Sequence, residues 1–71
     1  MALSNDHLIG LLGFVTTRIA AVDRPGEVQL PLHGGSESFI AYGDEAMERG
    51  TQIMVVGTRP GRTVEVTVFS G

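Results

Sequence analysis

Thr63-Val64-Glu65-Val66-Thr67-Val68, close to the carboxy terminus, decides how this chain folds. Valines at 64, 66 and 68 alternate with Thr63, Glu65 and Thr67, the two-residue period of a strand with one buried and one wetted face. Just upstream, Thr51 to Gly57 places Ile53 and Val55 among Gln52, Met54 and Val56. Apolar residues on both faces predict a central strand packed on two sides. Between the two lies Thr58-Arg59-Pro60-Gly61-Arg62, where Pro60 presets φ at the first turn position and Gly61 supplies positive φ at the second. The two strands therefore read as a hairpin.

Earlier segments keep the same period. Val28, Leu30 and Leu32 alternate with Glu27 and Gln29, while Pro31, which has no N–H to donate, predicts an edge or a bulge at that point. A Pro25-Gly26 turn precedes this strand, and before it Phe14 to Ile19 is dense in the β-branched residues Val15, Thr16, Thr17 and Ile19. A further strand, Ser36 to Tyr42, is entered through Gly34-Gly35, a dipeptide tolerant of the φ values a tight hairpin demands.

Only Asp44 to Arg49 leaves the pattern. Asp44 can cap, Glu45 to Glu48 favour a helix, and Gly50 can end it in αL geometry, which predicts one short helical turn. Met47 would point inward from that turn as a plug for one end of a small barrel. The expected fold is all-β: a five-stranded OB-fold barrel with a short helical turn between strands 3 and 4, the SH3-like barrel being the nearest alternative. One domain is expected over residues 9–70, behind a flexible amino-terminal segment, residues 1–8.

Composition narrows the chemistry. A chain of 71 residues makes one domain that buries about 60% of its unfolded surface, so help from oligomerisation or a larger assembly is expected. With no cysteine, disulfides and zinc-finger sites are excluded. All five basic residues are arginine, so Ser-Lys dyads, Schiff bases and P-loop lysines have no amine to use. The net charge of −3 gives phosphate-dominated binding little footing. No apolar run approaches the ~20 residues that span a bilayer, and Met1 to Asp6 lacks the features of a signal peptide, so the chain itself reads as soluble.

Candidate chemical groups carry weak patterns. His7 and His33 are the only imidazoles, and with Asp6, Asp44 or Glu48 they match no metal-ligand spacing. Ser36 and Ser38 lie near His33, yet they flank a glycine turn with no orienting carboxylate or oxyanion hole, and turn chemistry explains them better. Gly34-Gly35 sits between strands rather than at a helix start, so it is no phosphate loop. Asp44, Glu45 and Glu48 read as a solvated face rather than an acid–base pair. Among the aromatics, Phe39 and Phe69 are expected in the core, and Phe14 and Tyr42 on an outward strand face.

The order and spacing of Gly10-Leu11-Leu12-Gly13, Val15 to Ile19, Pro25-Gly26-Glu27-Val28, Phe39-Ile40-Ala41 and Met47 to Val56 resemble the soluble carboxy-terminal domain of NfeD-like membrane proteins, over nearly all of Leu8 to Phe69. Two stretches depart from that family: Ala20 to Asp23 looks inserted, and the segment between Ala41 and Gly50 looks about one residue short. The resemblance implies an OB barrel tethered behind transmembrane helices absent from this chain, the domain facing the cytoplasm. It further implies a non-catalytic adaptor for stomatin-, flotillin- or prohibitin-type membrane scaffold proteins, with no cofactor and no catalytic residue. Longer relatives carry a separate Ser-Lys protease domain, which this chain lacks.

Two functions follow. The favoured one is a protein-interaction module, expected to dock a scaffold protein or its own copy through Phe14, Arg18, Tyr42, Arg59 and Arg62, since aromatic and Arg anchors suit such contacts. The alternative is an OB-type single-stranded nucleic-acid binder, which requires Phe14, Arg18 and Tyr42 to share one groove. An exposed apolar patch separates the first from the second. An enzyme would need a pocket holding a His beside a carboxylate.

Overall fold

The computed structural model describes residues 6–70. Five strands follow a 3-10 turn at Asp6–Leu8: β1 (Leu12–Thr17), β2 (Gly26–Leu32), β3 (Gly35–Gly43), β4 (Gln52–Arg59) and β5 (Thr63–Val68). They close into a barrel in the order β1-β2-β3-β5-β4, with β4 returning to β1. Every pairing is antiparallel except that of β3 with β5, where Ile40 stands opposite Thr63 and Gly43 opposite Val66. This is the five-stranded OB-fold barrel, and closure leaves few strand edges unpaired.

The two-residue period explains the inside. Val15, Val28, Leu30, Phe39, Ala41, Ile53, Val55, Val64 and Val66 point inward, joined by Leu8, Ile19 and Met47. None of the buried side chains among the described residues is polar or charged. Each fully buried Val, Leu or Ile contributes about 1.5–3 kcal/mol relative to exposure, which makes this cluster the main source of stability. Leu8 belongs to it, so packing starts one residue before the boundary expected at Ile9. The first five residues of the amino-terminal segment lie outside the described residues.

Several local expectations are corrected. Asp44 to Arg49 forms no helix: the chain bends at Asp44-Glu45, and Met47 then pairs with Ile19 in an isolated antiparallel bridge. Met47 exchanges both backbone hydrogen bonds with Ile19, and a strand-like bridge satisfies those groups as a single helical turn could not. Its side chain does plug the barrel end, 3% exposed. β4 is covered on one side only, with Val56 left 49% exposed, because a barrel has a single interior. Phe69 is half-buried outside the core cluster; its N–H donates to the Gln52 carbonyl and prolongs the β4–β5 ladder.

Both glycine turns are displaced. The turn before β2 is Val22-Asp23, closed by the Ala21–Arg24 bridge, and Gly26 is already the first residue of the strand. The β2–β3 hairpin turns on His33-Gly34, with φ of 53° and 81°, and Gly35 pairs with Leu32. Two successive positive φ values mark a type I′ turn, whose twist matches the strands it joins. Pro31 lies two residues past Gln29, the last β2 residue paired with β1, so its missing N–H breaks no ladder bond there.

Candidate interaction surface

The outer face of β1 and β4 departs from the expected alternation of apolar inside and polar outside. Register places Leu12 opposite Met54 and Phe14 opposite Gln52. The pairing runs back to Gly10, whose N–H donates to the Val55 carbonyl. Phe14, Leu12, Met54 and Val56 thereby form an outward apolar stripe, with Phe14 53% exposed. From Phe14 back to Gly10 it is about 14 Å long at the rise of a strand. Pro31 and Ser36 extend it sideways, lining with Leu12 and Phe14 a shallow hollow of about 250 Å³. Its immediate neighbours Gln29, Gln52 and Thr67 are uncharged.

A second hollow, also about 250 Å³, opens beyond Val56 and is walled by Val22, Tyr42, Asp44 and Arg59. Here the Arg59 guanidinium lies 3.9 Å over the Tyr42 ring, while its Nε donates to Glu65 Oε2 at 2.8 Å. Register explains the cluster: Glu65 stands between Tyr42 on β3 and Gly57 on β4. A side chain at Gly57 would sit 2.6 Å from the Glu65 carboxylate, so glycine makes room for the acid to reach Arg59. Asp44 accepts a hydrogen bond from the Thr67 hydroxyl at 3.1 Å, which holds its carboxylate over β5, on the residue that pairs with Met54.

Arg62 has another task. It stacks 4.6 Å over Phe39, and its Nη2 donates to Glu37 Oε1 at 2.8 Å and to the Ser38 carbonyl at 3.1 Å. That pins the β4–β5 turn onto β3 and covers one end of the core. Arg18 is exposed just past β1 and lines neither hollow. Of the five residues singled out from sequence, the structure joins only Tyr42 and Arg59. Leu12, Met54 and Val56 were missed, although the doubly apolar run at 53–56 was their signal.

The remaining polar candidates do not converge. Among the described residues no three His, Asp or Glu side chains could hold a metal ion. His33 occupies the hairpin tip, and Ser36 and Ser38 are exposed on β3. No helix among the described residues is long and apolar enough to cross a membrane.

Residues 12–67 match the model of the NfeD C-terminal domain. The chain belongs to this family. Its barrel is similar to the soluble domain of the NfeD protein YuaF from Bacillus subtilis, at 32% identity over 93% of this chain and 79% of that one, with a TM-score of 0.79. It shares its fold with the C-terminal domain of stomatin operon partner protein 1510-C from Pyrococcus horikoshii, at 22% identity over 99% of this chain and 100% of that one, TM-score 0.74. No curated protein gives a significant match. Within this NfeD domain, the stretch from Ala20 to Asp23 forms the tight turn that brings Val22 to the wall of the second hollow.

Proposed function

We propose that this NfeD domain is a non-catalytic adaptor that docks a membrane scaffold protein of the stomatin, flotillin or prohibitin class. In this reading the whole protein is membrane-tethered through segments outside this chain, with the domain on the cytoplasmic side. The observation that carries it is the uncharged apolar stripe Leu12, Phe14, Met54 and Val56. Apolar side chains on the outside of a closed barrel add nothing to its core, and contiguous ones rimmed by polar residues suit a protein contact. The name of the Pyrococcus relative, a stomatin operon partner, agrees with the choice of scaffold class.

The size of the stripe sets the strength of the contact. Phe14 and Val56 are about half exposed and Leu12 about a third. Covering the exposed part of the stripe gains at most about 1 kcal/mol per side chain, before association costs, so the stripe alone supports a weak contact. Confining both partners to one membrane would raise their effective concentration and compensate.

Titration of the isotope-labelled domain by NMR tests this. A fragment of a stomatin-class scaffold should shift the amides of β1 and β4 around Leu12 and Met54, while a mixed-sequence single-stranded oligonucleotide should leave them in place at physiological salt. Salt-sensitive shifts with the oligonucleotide would overturn the reading. The nucleic-acid alternative is disfavoured because Phe14 and Tyr42 line separate hollows and Arg59 is engaged by Glu65.

A further inference from the structure

The apolar stripe is neutral along its β2 side and acidic along its β5 side. Thr67 stands opposite Met54, and the Asp44 carboxylate is held on the Thr67 hydroxyl at 3.1 Å. Glu65 lies two residues before Thr67 on the same outer face, but Arg59 neutralises it at 2.8 Å. Asp44 has no cation of its own among the described residues. It therefore places one uncompensated charge, fixed by a hydrogen bond, on the residue paired with Met54 and on the hollow that Val56 lines.

Building on the docking role proposed above, we infer that the segment bound by this stripe is amphipathic, with apolar side chains covering Leu12, Phe14, Met54 and Val56 and a basic side chain on the edge that meets Asp44. Length fits a short segment: about 14 Å corresponds to roughly four extended residues or nine to ten helical ones. The chain's net charge of −3 steers a cationic segment toward it and repels an acidic one. The same charge argues against the other occupants. A second copy brings another −3, and an anionic lipid surface finds no lysine in the chain, while Arg59, which lines a hollow with Val56, is paired with Glu65.

The test uses three synthetic amphipathic peptides of leucine and glutamine that differ at one edge position, occupied by Lys, Gln or Glu, titrated into the labelled 71-residue chain and its Asp44→Asn variant. That substitution keeps an acceptor for the Thr67 hydroxyl and removes only the charge. The Lys peptide is expected to bind about 2- to 5-fold tighter than the Glu peptide, the range of an exposed ion pair. The difference should collapse at 1 M salt, with a Debye length of about 3 Å, and in Asp44→Asn. Equal affinities, or a preference that survives Asp44→Asn, would overturn the inference while leaving the docking surface intact. Failure of all three peptides to shift β1 and β4 would overturn the docking reading itself, and concentration-dependent shifts without peptide would assign the stripe to a second copy.

Discussion

Met47 and Ile19 face each other across one end of the barrel and exchange both backbone hydrogen bonds, each 2.9 Å long. Both side chains are buried, and Gly43 passes so close that a Cβ there would lie 2.9 Å from the Met47 Cε. Met47 thus ties the long β3–β4 connection to the segment leaving β1. Met47→Ala should open a cavity and cost about 2–4 kcal/mol, a large share of the roughly 5 kcal/mol of a small domain. Met47→Leu, which conserves volume, should cost less than about 1.5 kcal/mol. Urea unfolding midpoints of the two variants check this.

His33 holds φ at 53°, a conformation asparagine tolerates far better than most side chains, and it precedes Gly34 in a type I′ turn. His33→Asn creates the preferred Asn-Gly pair and should raise stability by a few tenths of a kcal/mol, about 0.5. His33→Val, β-branched, should lower it by about 1 kcal/mol or more. Thermal melts of the two variants should move in opposite directions.

Gly26 is required by closeness rather than by turn geometry. A Cβ on it would collide with the Thr17 carbonyl oxygen and stand 2.5 Å from that of Arg18, both backbone atoms with nowhere to retreat. Gly26→Ala should therefore destabilise by about 2–3 kcal/mol, the range of overpacking, where an ordinary strand glycine would gain from alanine. Loss of the Phe14–Gln29 and Val15–Val28 register in amide exchange would be the structural signature.

Arg62 and Phe14 should separate stability from binding. Arg62→Ala removes the stack on Phe39 and the bonds to Glu37 and Ser38; because the pair is exposed, the cost should be only about 1 kcal/mol, with scaffold affinity unchanged. Phe14→Ser, on the open face, should leave stability within about 0.5 kcal/mol and weaken scaffold binding about 5-fold or more. Denaturation curves and titrations of both variants suffice, and a Phe14→Ser variant that binds normally would remove the stripe from the docking surface.

Legibility from sequence followed the reach of the interactions involved. The β5 alternation, the β4–β5 hairpin and the inward Val28, Leu30, Val64 and Val66 could be read residue by residue, because burial on one face imposes a period of two wherever a strand runs, whereas on β4 apolar residues on both faces hid that Ile53 and Val55 alone point inward. Two turn positions slipped, by one residue before β3 and by three before β2. Glycine at 26 answers a steric approach from Thr17, and positive φ at His33 is permitted by the twist of the hairpin rather than announced by residue type.

Sequence by itself determined a single all-β chain of five strands, without cysteine or lysine chemistry and with more apolar residues on β1 and β4 than one face can use. Tertiary structure alone decided where those extra residues meet. Barrel closure set Leu12 beside Met54, the β3–β5 parallel pairing set Tyr42 beside Glu65, and the Met47–Ile19 bridge replaced the expected helix. Each is a contact between segments distant in sequence, governed by register and closure, and local propensity carries no information about either.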